Sequence, residues 1–154
     1  MPHKNKDPKA QFDAVEKLLT GWLRERRELL GKYTEIVVAS DGMPDTGLSD
    51  RQKALCELLV DYTSAGHFEV FHELLDEAES FADGSSALAG KVMPAIGDTT
   101  EVILAYEEKY GAGDGDNRKL KRDLSALGET LESRFVLEDQ LIAGLHNSHR
   151  RQLG

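Results

Sequence analysis

Apolar residues recur along most of this chain at spacings of three and four, the repeat that gives a helix one apolar side. Phe12, Val15, Leu19, Trp22, Leu29, Tyr33 and Ile36 form a first stripe, and Leu18, Leu23 and Leu30 widen it to the breadth a bundle core requires. Gly21 and Gly31 weaken this helix locally without a stop signal around them. The Gly, Pro and Asp content of residues 40–48 predicts a loop, with Ser49 or Asp50 capping the next helix. Leu55, Leu58, Leu59 and Tyr62, then Phe68, Phe71, Leu74, Leu75 and Ala78, make a second arm ending near Ala82. There Asp83-Gly84-Ser85-Ser86 offers a terminal glycine and the following cap. Leu88, Val92, Ile96, Ile103, Tyr106 and Tyr110 define a third helix, which Pro94 is expected to kink or to begin. After a loop over 111–116, the last helix spans about Arg118 to Asn147. No segment alternates with period two for long enough to make a strand. The pattern predicts an all-α, antiparallel bundle of four or more helices, its second long arm kinked near Gly66. One domain over 10–148 is expected, between a disordered tail over 1–9 and a short tail over 149–154.

Charge interrupts the apolar stripes at comparable depths: Arg26 in the first, Asp61 in the second, and the pair Arg134 and Glu138 in the last. Two cations and two anions balance, and buried charges are kept only when paired, so the four are expected to converge on a polar cleft between helices. The alternative is that each sits at a stripe's margin and reaches water. The stretch 57–72, E-L-L-V-D-Y-T-S-A-G-H-F-E-V-F-H, concentrates the irregularity. Glu57, Asp61, Ser64 and Phe68 are spaced by four, three and four, so a continuous helix places an acid, a hydroxyl and a large apolar ring on one face. Gly66, which costs a helix interior about 1 kcal/mol relative to Ala, marks the expected kink.

Charge is unevenly distributed over the 154 residues, whose net value is −9. Residues 1–32 hold 8 basic and 5 acidic side chains, residues 33–110 hold 4 and 16, and residues 111–154 hold 7 of each. The acidic middle repels nucleic acid and attracts basic partners, or else serves as a solvated surface. One cysteine, Cys56 in A-L-C-E-L-L, excludes an internal disulfide framework and reads as a core thiol of a reducing compartment. No apolar run approaches a membrane span, and the basic N-terminus lacks the apolar segment of a signal peptide, so a cytoplasmic location is expected.

Candidate chemistry is sparse. Glu69-Val-Phe-His72 has the E-x-x-H spacing of di-iron bundles, with His67 nearby, but those sites require a second copy that the chain does not have. Asp61-x-x-Ser64-x-x-His67 on one helix makes no hydrolase triad with an oxyanion hole. No enzyme activity, cofactor or metal is expected from these residues, and a metal-binding bundle stands as an alternative.

Three separated motifs carry a resemblance. L-V-D-Y-T-S-A-G-H-F at 59–68, L-x-x-G-W-L-x-x-R-x-x-L-L at 18–30 and L-E-S-R-F-V-L-E-D-Q-L-I at 131–142 resemble, in order and with compatible spacing, the Rsd/AlgQ family of regulators that bind the primary sigma factor of bacterial RNA polymerase. The resemblance covers residues 11 to 147 but not the loops or tails, and Thr63 stands where the family often has an aliphatic residue. It implies a cytoplasmic anti-sigma protein that sequesters free sigma, 1:1, through the sigma factor's region 4. That basic helix-turn-helix domain reads the promoter −35 element and contacts core polymerase, so its capture favours alternative sigma factors. Carried over by position, Asp61, Ser64 and Phe68 are implied to bind the partner, with Tyr62 and His67 beside them. Arg134, Phe135, Glu138 and Asp139, with Arg26 across from them, are implied to shape the cleft. Direct nucleic-acid binding and membrane attachment are not expected, weak self-association is, and a different protein partner for the acidic face stands as a second alternative.

Overall fold

Asp7 and Pro8 start the first helix. The Asp7 carboxylate accepts from the Ala10 amide at 3.3 Å, and Pro8 takes the first helical position, where its missing N–H costs nothing. The expected disordered tail over 1–9 is thus corrected at Pro8 and Lys9, which are helical. The structure, a computed structural model, describes residues 7–41, 47–113 and 117–153. Residues 1–6 of that tail, most of the 40–48 loop and half of the 111–116 loop lie outside the described residues.

Helix α1 spans Pro8–Asp41, α2 Leu48–Ala65, α3 Phe71–Phe81, α4 Ala87–Tyr110, α5 Leu120–Leu145 and α6 Arg150–Leu153. A π-helical turn, Gly66–Val70, joins α2 to α3 in one arm, and a 3-10 turn, Asn147–His149, joins α5 to α6. Named contacts fix the directions. Gln11 reaches Glu73 and Trp22 reaches Tyr62, so α1 runs against the α2–α3 arm. Tyr106 reaches Gln52, placing α4 against α2, while Arg134 reaches Thr99 and Lys109 reaches Asp123, placing α5 against α4. Arg26 reaches Asp139 and Tyr33 reaches the Leu124 carbonyl, which closes the ring between α5 and α1. The fold is the all-α antiparallel bundle that the periodicity predicts.

Its core draws on all four arms, with Leu29, Leu55, Leu74, Ile103 and Leu127 among the fully buried side chains. Cys56 is buried as expected, and burial followed by the charge of Glu107 pushes its thiol up to about 12, which leaves it unreactive at neutral pH. Helix α4 continues through Pro94, which is exposed, as is Gly90 four residues earlier. The carbonyl that Pro94 cannot serve therefore lies on the solvent side, where water can reach it.

The expected caps differ. Neither Ser49 nor Asp50 begins α2; Gly47, at φ 72°, precedes it, and Ser49 instead donates to the Gly113 carbonyl at 2.7 Å. Ser86 makes no side-chain cap on α4. Helix α3 ends on Ala82 in the left-handed region, φ 52°, a conformation usually left to glycine.

Candidate functional site

The interrupting charges come together, with one exception. Glu138 on α5 is fully buried and accepts three hydrogen bonds: from Arg26 of α1 at 3.0 Å, from Arg134 one turn earlier at 2.8 Å, and from the Tyr62 hydroxyl of α2. Arg134, 1% exposed, turns its Nη1 to the hydroxyls of Thr99 at 3.1 Å and Thr100 at 2.8 Å and to the Ile96 carbonyl at 3.5 Å. Arg26 also bonds the Tyr62 oxygen at 3.0 Å and Asp139 at 2.8 Å, and its guanidinium lies over the rings of Phe135 and Trp22. Burial and then the charge of Glu138 raise the Tyr62 phenol above its ordinary value, so it stays neutral and donates. Two guanidinium groups and two carboxylates thus form one network spanning α1, α2, α4 and α5.

This network corrects two expectations. It is a packed cluster of paired charges rather than a cleft. Asp61 is not part of it: Asp61 is exposed, and its charge acts on Glu25 of α1, whose carboxyl is raised by burial and then by Asp61 and Glu28. The second anion of the balance is Asp139. Asp139 matches the last-helix motif, yet its place opposite Arg26 depends on how α1 and α5 meet, which spacing within either helix does not encode. A third correction concerns Tyr62, which was expected at the partner face. It is 0% exposed, with Trp22 stacked on its ring at 4.7 Å and Phe135 edge-on at 5.9 Å.

The other signature residues lie at the surface. Glu57, Asp61, His67, Phe68 and Glu69 are exposed and Ser64 is half-buried. Phe68 is 74% exposed, the largest value among the exposed large apolar side chains, and its ring meets that of His67 edge-on at 4.8 Å. Beside it, Lys17, Leu18, Gly21, Trp22 and Glu25 of α1 face Ala65, Glu69 and Val70 across an open groove of about 290 Å³. The kink expected at Gly66 takes the form of the π turn, in which the Phe71 amide bonds back five residues to Gly66.

Glu69 and His72 do not assemble the metal centre that their spacing suggested. Among the described residues, the grouping with ligand atoms within reach of one another is His72, Glu73 and Asp76, and it includes neither Glu69 nor His67. Glu73 already accepts from Gln11 at 2.9 Å.

A second ionisable cluster escaped the sequence reading. Glu77 of α3, fully buried, holds the Nδ1 atoms of both His146 and His149 at 2.6 Å. The far nitrogen of His146 meets Glu16 of α1 at 2.6 Å, and that of His149 lies 3.3 Å from Asp83 and 3.2 Å from Ser85. Phe12 stacks on His146 and Phe81 on His149. The expected tail over 149–154 is therefore corrected: His149 is 0% exposed and α6 follows it. The available signal was the H-x-x-H spacing at 146–149, which puts both rings on one side of a turn.

The buried charges of this bundle are consumed by their own partners, and on the second arm Asp61 and Phe68 stand exposed near half-buried Ser64. The chain belongs to the family described as "Regulator of RNA polymerase sigma(70) subunit, Rsd/AlgQ", whose model matches residues 1–146; it is a family of regulators, not of enzymes. It is similar to a "Regulator of sigma D" of Yersinia enterocolitica, 34% identical over 130 residues, covering 81% of this chain and 78% of the relative. It is likewise similar to a "Regulator of sigma D" of Salmonella paratyphi A, 39% identical over 132 residues, covering 82% and 80%. No solved structure matches the chain. No helix of the described residues is long and apolar enough to cross a membrane.

Proposed function

We propose that this protein regulates transcription in the cytoplasm by binding region 4 of the primary sigma factor, one to one, and withholding it from core RNA polymerase and the promoter. The observation that carries the reading is the outward face of α2 and the π turn, where Phe68 stands 74% exposed in line with exposed Asp61 and half-buried Ser64. An exposed aromatic ring near an exposed carboxylate suits a partner that offers an apolar pocket rimmed by basic side chains. Region 4 is such a domain, since it is built to meet phosphate, and the acidic middle of this chain competes for the same surface.

Phe68 supplies the buried anchor, Asp61 pairs with a basic side chain, and Ser64 permits close approach. Occlusion requires no chemistry. Titration of the purified chain with region 4 tests the reading: binding that weakens with salt and with Phe68→Ala is expected, and no binding at low salt overturns it.

A further inference from the structure

Trp22 touches the α2–α3 arm before, within and after its π turn. Its indole N–H donates to the Tyr62 carbonyl at 3.2 Å, and its ring stacks on that of Tyr62 within 4° of parallel. The same ring lies against Gly66, where an added Cβ would come 2.9 Å from Cζ2, and meets Phe71 edge-on at 5.7 Å. Trp22 is itself 3% exposed.

These contacts fall where the helix changes phase. Through α2 the buried positions step by three and four, Leu55, Leu59, Tyr62, Gly66. Past Gly66 burial resumes at Val70 and Phe71, four and five residues on, the longer step being the one the π turn closes through the Phe71 amide. The wide turn absorbs about one residue, and His67, Phe68 and Glu69 stand exposed along it. A π turn is less stable than the α-helix it interrupts and persists where its surroundings favour it. The flat indole requires glycine at 66, and its N–H gives the Tyr62 carbonyl a second donor beside the Gly66 amide.

We propose that Trp22 is a positioning residue for the partner face: it holds the π turn that presents Phe68 without touching the partner. This rests on the reading of that face as the sigma-binding site. Trp22→Phe keeps an aromatic ring in the slot and removes the N–H, while Gly66→Ala disturbs the contact from the other side.

The test is a double-mutant cycle in the full chain, titrating wild type, Trp22→Phe, Phe68→Ala and the double variant with region 4, alongside amide exchange at Phe71. Trp22→Phe is expected to bind about three- to tenfold more weakly, the range that one lost hydrogen bond gives, with Phe71 exchange accelerated relative to Leu59. In the Phe68→Ala background the same substitution is expected to cost nothing more. Equal losses in both backgrounds would make Trp22 a general structural residue and overturn the proposal, as would wild-type affinity in Trp22→Phe. Failure of wild type to bind would instead remove the sigma reading. The exchange rates then decide the positioning claim: unchanged protection at Phe71 in both Trp22→Phe and Gly66→Ala overturns it.

Discussion

Both oxygens of the Glu138 carboxylate are engaged, one by Arg26 and Tyr62 and the other by Arg134. Replacing it by glutamine keeps the shape but leaves two guanidinium groups facing a neutral amide in a dry site. Breaking a buried pair in this way costs about 3–5 kcal/mol, so Glu138→Gln should lower the urea midpoint sharply, and an unchanged midpoint would contradict the network. Asp61 predicts the opposite behaviour. It is exposed and stands near Glu25, a like charge, so Asp61→Ala should leave the thermal melt in place or raise it while weakening partner binding. A melt shifted far downward would make Asp61 structural. The difference between these two residues also marks what the pattern encoded. Arg26, Arg134 and Glu138 interrupt wide apolar seams, where an unpaired charge is too costly to keep, so their convergence was legible. Asp61 interrupts its stripe at the margin, and periodicity alone does not separate a margin from a centre. Tyr62 looked like one more apolar position until its hydroxyl was placed against Glu138.

At the scale of elements, the helices themselves were readable because each seam repeats over several turns. Their ends were less so. Asp7-Pro8 is a legible cap and first position that the apolar stripe, starting later, did not draw attention to. Ser49, Asp50 and Ser86 have capping side chains but do not cap, because Gly47 and the turn at 83–86 set the chain's entry by backbone geometry. Phase is the other unread quantity. A glycine announces a weak point in a helix, yet whether it bends or widens depends on what presses on it, here the indole of Trp22 from another helix. One end remains strained. Ala82 holds a left-handed conformation at φ 52°, which costs an L-residue with a Cβ about 1–2 kcal/mol relative to glycine. Ala82→Gly, at an exposed position, should therefore stabilise the chain by roughly 0.5–1 kcal/mol after glycine's own entropy is counted, visible as a raised Tm; a lowered Tm would contradict the assigned backbone.

At the scale of the molecule, the C-terminal turn is fastened to α1 and α3 through His146. Both of its ring nitrogens meet carboxylates at 2.6 Å, an arrangement that favours the doubly protonated, charged ring. Burial opposes that charge, but the bonds to Glu77 and Glu16 outweigh it and raise the ring above its ordinary 6.5, while the bond from His146, against burial and helped by Arg150, lowers Glu16 below its ordinary 4.5. A raised histidine stabilises fully below 6.5 and loses that contribution as pH climbs through its folded value; a lowered carboxylate stabilises above 4.5 and loses it as pH falls through its own. Protection of the amides at 146–153 should thus be greatest between those limits and decline on either side, and His146→Ala should abolish the alkaline decline. A flat profile in wild type would show that the fastening does not depend on this proton. The spacing of His146 and His149 was legible in advance, but their meeting with Glu77 was not, because it depends on the closure of the whole bundle.

The same closure sets the acidic face outward, and the central claim concerns what that face meets. The most direct measurement is a titration of the purified chain with region 4 of the primary sigma factor at several salt concentrations, repeated with Asp61→Ala and Phe68→Ala. The account predicts a one-to-one complex that weakens as salt rises. It also predicts loss of part of that salt dependence in Asp61→Ala and a larger loss of affinity in Phe68→Ala, with both variants folded. No complex at low salt, or a complex indifferent to both substitutions, would contradict it.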